Sequence, residues 1–143
     1  MNGFLQASHQ LRVKTRGKGF IEFTDDLRRW LRAISAAEGV LTVFVCHTSA
    51  SLTIQENADP NVRRDLLDAF EILAPEDRPY THAEEGPDDM PSHIKAMLSD
   101  VSLSIPVMEG KMTLGTWQGV YLIEHRAAPH ERRIALSFIG RGG

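Results

Sequence analysis

Cysteine is nearly missing from these 143 residues. The single thiol, Cys46, excludes an intramolecular disulfide framework and any zinc knot built from several thiolates. Long apolar runs are missing as well. The densest, Val43-Phe44-Val45-Cys46, is far shorter than the roughly 20 apolar residues a bilayer span needs. The segment from Met1 to Lys14 carries His9 and Arg12 inside its apolar pattern and lacks the hydrophobic stretch and cleavage signature of a signal peptide, so a cytoplasmic location is expected. Nor is there a basic run. Sixteen Lys and Arg stand against 19 Asp and Glu, a net charge of −3, so neither nucleic acid nor an anionic membrane is an expected partner. HExxH zinc helices, glycine-rich nucleophile elbows, phosphate loops ahead of a helix, internal repeats and linkers are all absent.

What is present is ordinary for a globular chain: 42% hydrophobic and 24% charged residues. At this length a domain buries roughly two-thirds of its unfolded surface, so it needs no metal in order to fold. Residues 1–143 read as a single domain. Leu5 to Val13 and Phe20 to Phe23 flank a basic, glycine-containing turn and predict a hairpin. Thr24 predicts a helix cap, with Asp25 and Asp26 in the first turn, Leu27, Trp30, Leu31 and Ile34 as the apolar stripe and Gly39 as the stop. Two β-rich runs follow, Val40 to His47 and Ser51 to Glu56. Asp59-Pro60 predicts a second helix, because Asp caps and Pro needs no hydrogen bond in the first turn. Residues 75–90 hold three Pro and six acidic residues without a period and read as a long loop. A short helix is expected from Pro91, with Ile94, Met97 and Leu98 inward. Three β-runs close the chain: 101–108, 111–126 (broken at Gly115 or Gly119) and 132–139. Mixed helices and strands with a terminal block of strands predict an α+β fold with antiparallel β-sheets and about three helices.

Chemistry gathers at the strand ends. Alternation puts His47 at the end of the face carrying Leu41, Val43 and Val45, and His125 at the end of the face carrying Tyr121 and Ile123. Each imidazole then needs a partner, since an unpaired buried polar group costs on the order of 1–3 kcal/mol. His93, one turn before Met97, points to the same interior. Three neutral imidazoles could form an open zinc site, although on spacing alone, with no HExxH-type pattern, histidines bonded to backbone are the favoured reading. Ser49, within His47-Thr48-Ser49-Ala50-Ser51, has histidine nearby but no elbow, and a hydroxyl-rich turn is the plainer reading. Glu56 shares a face with Leu52 and Ile54 and is a candidate acid/base or histidine-orienting group. Asp89 is a candidate N-cap. His82 is either a further polar member of a site or an exposed loop residue. Arg126 is the best-placed cation for an anionic substrate, with a surface ion pair as the alternative.

The strings His47-Thr48-Ser49-Ala50-Ser51, Glu56-Asn57-Ala58-Asp59-Pro60, Asp88-Asp89-Met90-Pro91-Ser92-His93-Ile94-Lys95, Gly115-Thr116-Trp117-Gln118-Gly119 and Glu124-His125-Arg126 occur in this order. In them the chain closely resembles the YjbQ-like family, some of whose members are described as secondary thiamine-phosphate synthases. The resemblance spans essentially the whole chain. It implies an α+β fold, assembly as a homotrimer and a pocket in which His47, His93 and His125 hold a divalent metal. Zn²⁺ is the expected ion, with Mg²⁺ the alternative for a diphosphate substrate. It also implies the joining of a hydroxymethylpyrimidine diphosphate to a thiazole phosphate with loss of pyrophosphate. The catalytic candidates are then Glu56, Asp89 and Arg126. The candidates for binding a small phosphorylated substrate are Ser49, Asn57, His82, Lys95, Thr116 and Trp117. Two other readings stay open: metal-assisted hydrolysis of a small substrate with Glu56 as base, and a metal- or ligand-binding trimer without turnover.

Overall fold

The computed structural model describes residues 3–143; Met1 and Asn2, which open the expected domain, lie outside the described residues. The elements run β1 (Phe4–Lys14), β2 (Gly19–Glu22), α1 (Thr24–Ala33), β3 (Ala36–Val45), β4 (Ala50–Glu56), α2 (Pro60–Leu73), α3 (Asp89–Leu98), β5 (Ser102–Met108), β6 (Lys111–Met112), β7 (Gln118–Glu124) and β8 (Glu131–Gly142). They form two sheets, one ordered β1-β8-β3-β5-β6 and the other β2-β7-β4. Every strand pair is antiparallel. The fold is α+β, with three helices among the described residues.

Period-two alternation builds the core. Leu41, Val43 and Val45 of β3, Ile105 and Val107 of β5, and Ile134, Leu136 and Phe138 of β8 are all buried. They meet Ala50 and Leu52 of β4 and Val120 and Leu122 of β7, and Leu27 and Leu31 of α1 join the same cluster. Among the described residues no helix is long and apolar enough to cross a membrane.

Four local expectations need correction. First, β1 and β2 are not a hairpin. β1 pairs along its length with β8, and β2 pairs with β7. The apolar side of β1 finds its match at the far end of the chain, where Ala7 lies opposite Phe138 and Leu11 opposite Ile134. Gly17 (φ 144°) therefore turns the chain from one sheet into the other. Second, α1 ends at Ala33 and not near Gly39. Ser35 takes a left-handed conformation (φ 55°), and Ala36 already belongs to β3. Gly39 is needed where β3 passes β8, because a Cβ there would lie 2.3 Å from the Ile139 carbonyl oxygen. Third, Thr24 is inside the helix and makes no cap; its hydroxyl donates to Glu22 (2.8 Å) and accepts from the Val120 N–H (2.9 Å). Asp59 does cap α2 as expected, accepting from the Asn61 N–H at 2.9 Å.

The fourth correction is the phase of α3. It buries Asp89, Pro91, Ser92, Lys95 and Ala96, while Met97 is 88% and Leu98 58% exposed. Asp89 and Lys95 each keep an ionic partner, Arg126 and Glu71 respectively. A buried charge without a partner costs far more than exposing two apolar side chains, so the ion pairs set the helix phase.

Candidate functional site

The start of α3 and the loop before it bring together His82, Asp89 and His93, whose ligand atoms all lie within 4.8 Å of one another. Asp89 is the centre. Its Oδ2 is 2.6 Å from His82 Nε2 and 3.4 Å from His93 Nε2, and its Oδ1 accepts from Arg126 at 2.9 Å. Burial pushes the Asp89 carboxyl up, but the hydrogen bond from His82 and the neighbouring positive charges outweigh that and hold it below its usual value. The His93 ring is oriented from behind. Its Nδ1 lies 3.0 Å from the Thr48 carbonyl oxygen, which can only accept, so Nδ1 carries a proton and Nε2 faces Asp89. Arg126 fastens the loop by donating to Asp88 (3.0 Å), Asp89 and the Glu85 carbonyl (3.0 Å).

His47 lies two residues past the end of β3 and shares an open cavity of about 640 Å³ with His93, bordered by Phe44, Met97 and Val101. Its Nε2 accepts from the Arg133 backbone N–H at 2.9 Å. Burial, together with the charges of Arg132 and Arg133, lowers its pKa. His125 is placed differently. It is 2% exposed, 2.8 Å from the Ser51 hydroxyl through Nε2, and edge-on to Phe70 with ring centroids 5.3 Å apart. Burial, aided by the charge of Lys95, lowers its pKa to about 3. Among the described residues the three-ligand group contains His93 but neither His47 nor His125.

The remaining candidates divide by position. Ser49 accepts from Arg132 (3.0 Å), whose guanidinium also pairs with the fully buried Glu124 (2.8 Å from Nε to Oε1). Lys95 donates to Glu71 at 2.8 Å. These partners, together with Asp88 and Asp89 on Arg126, already neutralise the two cations expected to meet an anionic substrate. Glu56 accepts from the Asp59 N–H (3.1 Å), and Asn57 donates to Glu22 (3.1 Å). Thr116 and Trp117 are exposed on the turn before β7. In the β4–β7 ladder Glu56 faces Gln118 at one end and Ala50 faces Glu124 at the other. Six residue steps of about 3.3 Å put some 20 Å between those ends. Within one chain, Glu56, Asn57, Thr116 and Trp117 therefore stand a strand length away from His125.

The grouping of His82 and Asp89 with His93 as ligands escaped the sequence reading, which took Asp89 as a cap and catalytic candidate and His82 as a substrate-binding candidate. The signal was there: Asp89 and His93 are four residues apart on one helix and share a face. The loop fold that returns His82 to that face leaves no sequence period.

The profile of the family described as "UPF0047 protein YjbQ-like" matches residues 9–141. A UPF0047 protein of Synechocystis sp. is 46% identical over 138 residues, covering 96% of this chain and 94% of its own. The UPF0047 protein YjbQ of Salmonella typhimurium is 43% identical over 129 residues, covering 90% and 94%. The crystal structure of an uncharacterized conserved YjbQ/UPF0047 protein from Clostridium acetobutylicum superposes with a TM-score of 0.82 at 34% identity, covering 93% of this chain and 99% of that one.

Proposed function

Because the chain belongs to the YjbQ-like UPF0047 family, we propose that it is a cytoplasmic metal-dependent enzyme acting on a small phosphorylated substrate, with His82, Asp89 and His93 holding one divalent ion. The observation that carries this reading is the convergence of two imidazoles and a buried carboxylate within 4.8 Å, with the His93 tautomer set by Thr48. The donor set fits the ion. Two nitrogens and one carboxylate oxygen suit Zn²⁺, whereas Mg²⁺ prefers oxygen ligands and retained water. Ligands about 2.0–2.1 Å from a tetrahedral ion stand about 3.3 Å apart. The separation of Asp89 and His93 already matches this, and the His82–Asp89 hydrogen bond must open from 2.6 Å by about 0.7 Å and lose its proton. The geometry thus favours His82 and Asp89 over His125 as companions of His93, since the His125 Nε2 is committed to Ser51.

Bound there, a divalent ion supplies positive charge to phosphate oxygens and polarises a bound oxygen. The side chains do the rest. Arg126 holds Asp88 and Asp89 in place and does not meet the substrate. His47, held neutral on the same cavity, can take a proton at Nδ1, since Nε2 is occupied by the Arg133 amide. The reaction we test first is the one the resemblance implies, transfer of a pyrimidinylmethyl group from its diphosphate to a thiazole phosphate. Glu56, Asn57, Thr116 and Trp117 could reach such a site only from another copy, in line with the proposed homotrimer.

Elemental analysis of untagged protein is expected to give about one zinc per chain, falling sharply in His93→Ala. Wild-type protein is expected to restore growth of a thiamine-requiring strain, and His93→Ala to fail. Equal metal content in both proteins overturns the metal centre. Metal loss with unimpaired growth rescue overturns the metal-dependent reaction.

A further inference from the structure

Helix α2 has the apolar spacing of a core helix, yet none of its residues is buried. Leu66, Phe70 and Leu73 face the outer side of the β2-β7-β4 sheet across a cavity of about 380 Å³, which Phe20, Ile123 and Leu98 close from the other sides. An apolar helix face set against a sheet normally packs to interior density. Here polar ties hold the helix off. Near its N-terminus Arg63 donates to the Tyr121 hydroxyl (3.1 Å) and the Glu56 carbonyl (3.3 Å), and near its C-terminus Glu71 accepts from Lys95 (2.8 Å) and Lys18 (3.0 Å).

The polar side of the cavity is one-signed. Thr53, Gln55 and Asp100 line it, and Asp100 is its one charged residue. Among the described residues the Thr53 hydroxyl, the Gln55 amide nitrogen and the Asp100 carboxylate have no side-chain partner. Among the described residues no cation lines the space, so a phosphate or carboxylate ligand would face the Asp100 charge with no positive side chain to offset it. The volume lies within the roughly 300–1,000 Å³ range of small-molecule sites, and the pattern of apolar walls with a few convergent polar groups is that of such a site.

We propose that this cavity binds a small, flat heteroaromatic cation bearing an amino group, its ring against Leu66, Phe70 and Ile123 and its N–H groups toward the Thr53 hydroxyl oxygen and the Asp100 carboxylate. The proposal rests on a cavity separate from the metal ligands and does not depend on the metal-centre reading.

The test uses 4-aminopyridine as probe and benzoate as a flat anionic control, followed by calorimetry and saturation-transfer NMR on the full chain. The probe is expected to bind one per chain and benzoate not at all. Asp100→Asn should weaken the probe at least tenfold, because the ring keeps its apolar contacts but loses its counter-charge. Ala69→Trp, which fills the cavity from the helix side, should abolish binding; should it fail to melt cooperatively, Thr53→Leu fills the space from the sheet side. Zinc content, measured in the same samples, should stay at the wild-type value. No binding to the wild-type chain, equal binding of benzoate, or full binding to a folded cavity-filled variant overturns the proposal. Failure of binding because a second copy covers the mouth at Leu73 and Leu98, seen as loss of the probe signal only in the oligomer, overturns it as well.

Discussion

His125 is a base stored in its neutral form. In the folded chain its pKa falls to about 3, first through burial and then through the charge of Lys95, whereas in the unfolded chain it returns to about 6.5. The unfolded state therefore binds the proton first. The contribution of His125 to stability is complete above about pH 6.5 and is lost as pH drops toward 3, by about 1.4 kcal/mol per pH unit. Carboxylates titrate mostly below about pH 4.5, and His47, whose pKa is also lowered, acts in the same direction between 6.5 and 4.5, so the share of His125 is read by difference. Urea unfolding across that interval should show a steeper decline in the wild-type chain than in His125→Phe. The same slope in both proteins contradicts the assignment. Burial of His125 was legible from its place at the end of an alternating strand. Its partner Ser51 was not, because a strand pattern gives the face of a residue and not the neighbour across the ladder.

Among the elements, the crossing of β3 and β8 is the tightest contact. A Cβ on Gly140 would lie 2.0 Å from the Glu38 carbonyl oxygen and 2.6 Å from the Gly39 Cα, and both obstacles are backbone. Gly140→Ala is expected to cost at least about 3 kcal/mol, read as a lower urea midpoint. Gly19→Ala, with nothing within 4 Å, should change the midpoint little. This crossing also explains the misread end of α1. A glycine after a helical stripe usually closes the helix, but Gly39 serves a strand whose partner is a hundred residues away. The readable elements were those whose cause is local: the Asp59-Pro60 start of α2 and the alternation in β3 and β8. The false hairpin and the inverted phase of α3 were decided by partners distant in sequence, the strand β8 and the ions Arg126 and Glu71 that pair with the buried Asp89 and Lys95. The candidate site followed the same division. His93 was singled out from a helix phase that the structure inverts, its real tie being the Asp89 one turn earlier on the same helix, and its grouping with His82 required the fold of a loop that has no period.

For the molecule as a whole, the outer face of the five-stranded sheet remains uncovered. Val40 and Phe44 on β3 and Ile139 on β8 are about half exposed, and Val40 and Ile139 are direct cross-strand neighbours. A joined apolar patch in the middle of a sheet is unusual on a monomer surface. Light scattering at micromolar concentration is expected to give the mass of a trimer, and Ile139→Glu to lower it with the circular dichroism spectrum retained. A wild-type chain that scatters as a monomer removes the trimer. The same sheet also imposes an order on its own making. β8 lies between β1 and β3 and pairs with both, so neither neighbour gains that partner until residues 131–142 have left the ribosome. During synthesis the nascent chain carries two open strand edges for nearly its whole length. A message truncated before residue 131 should therefore yield aggregate, a smaller folded protein being out of reach.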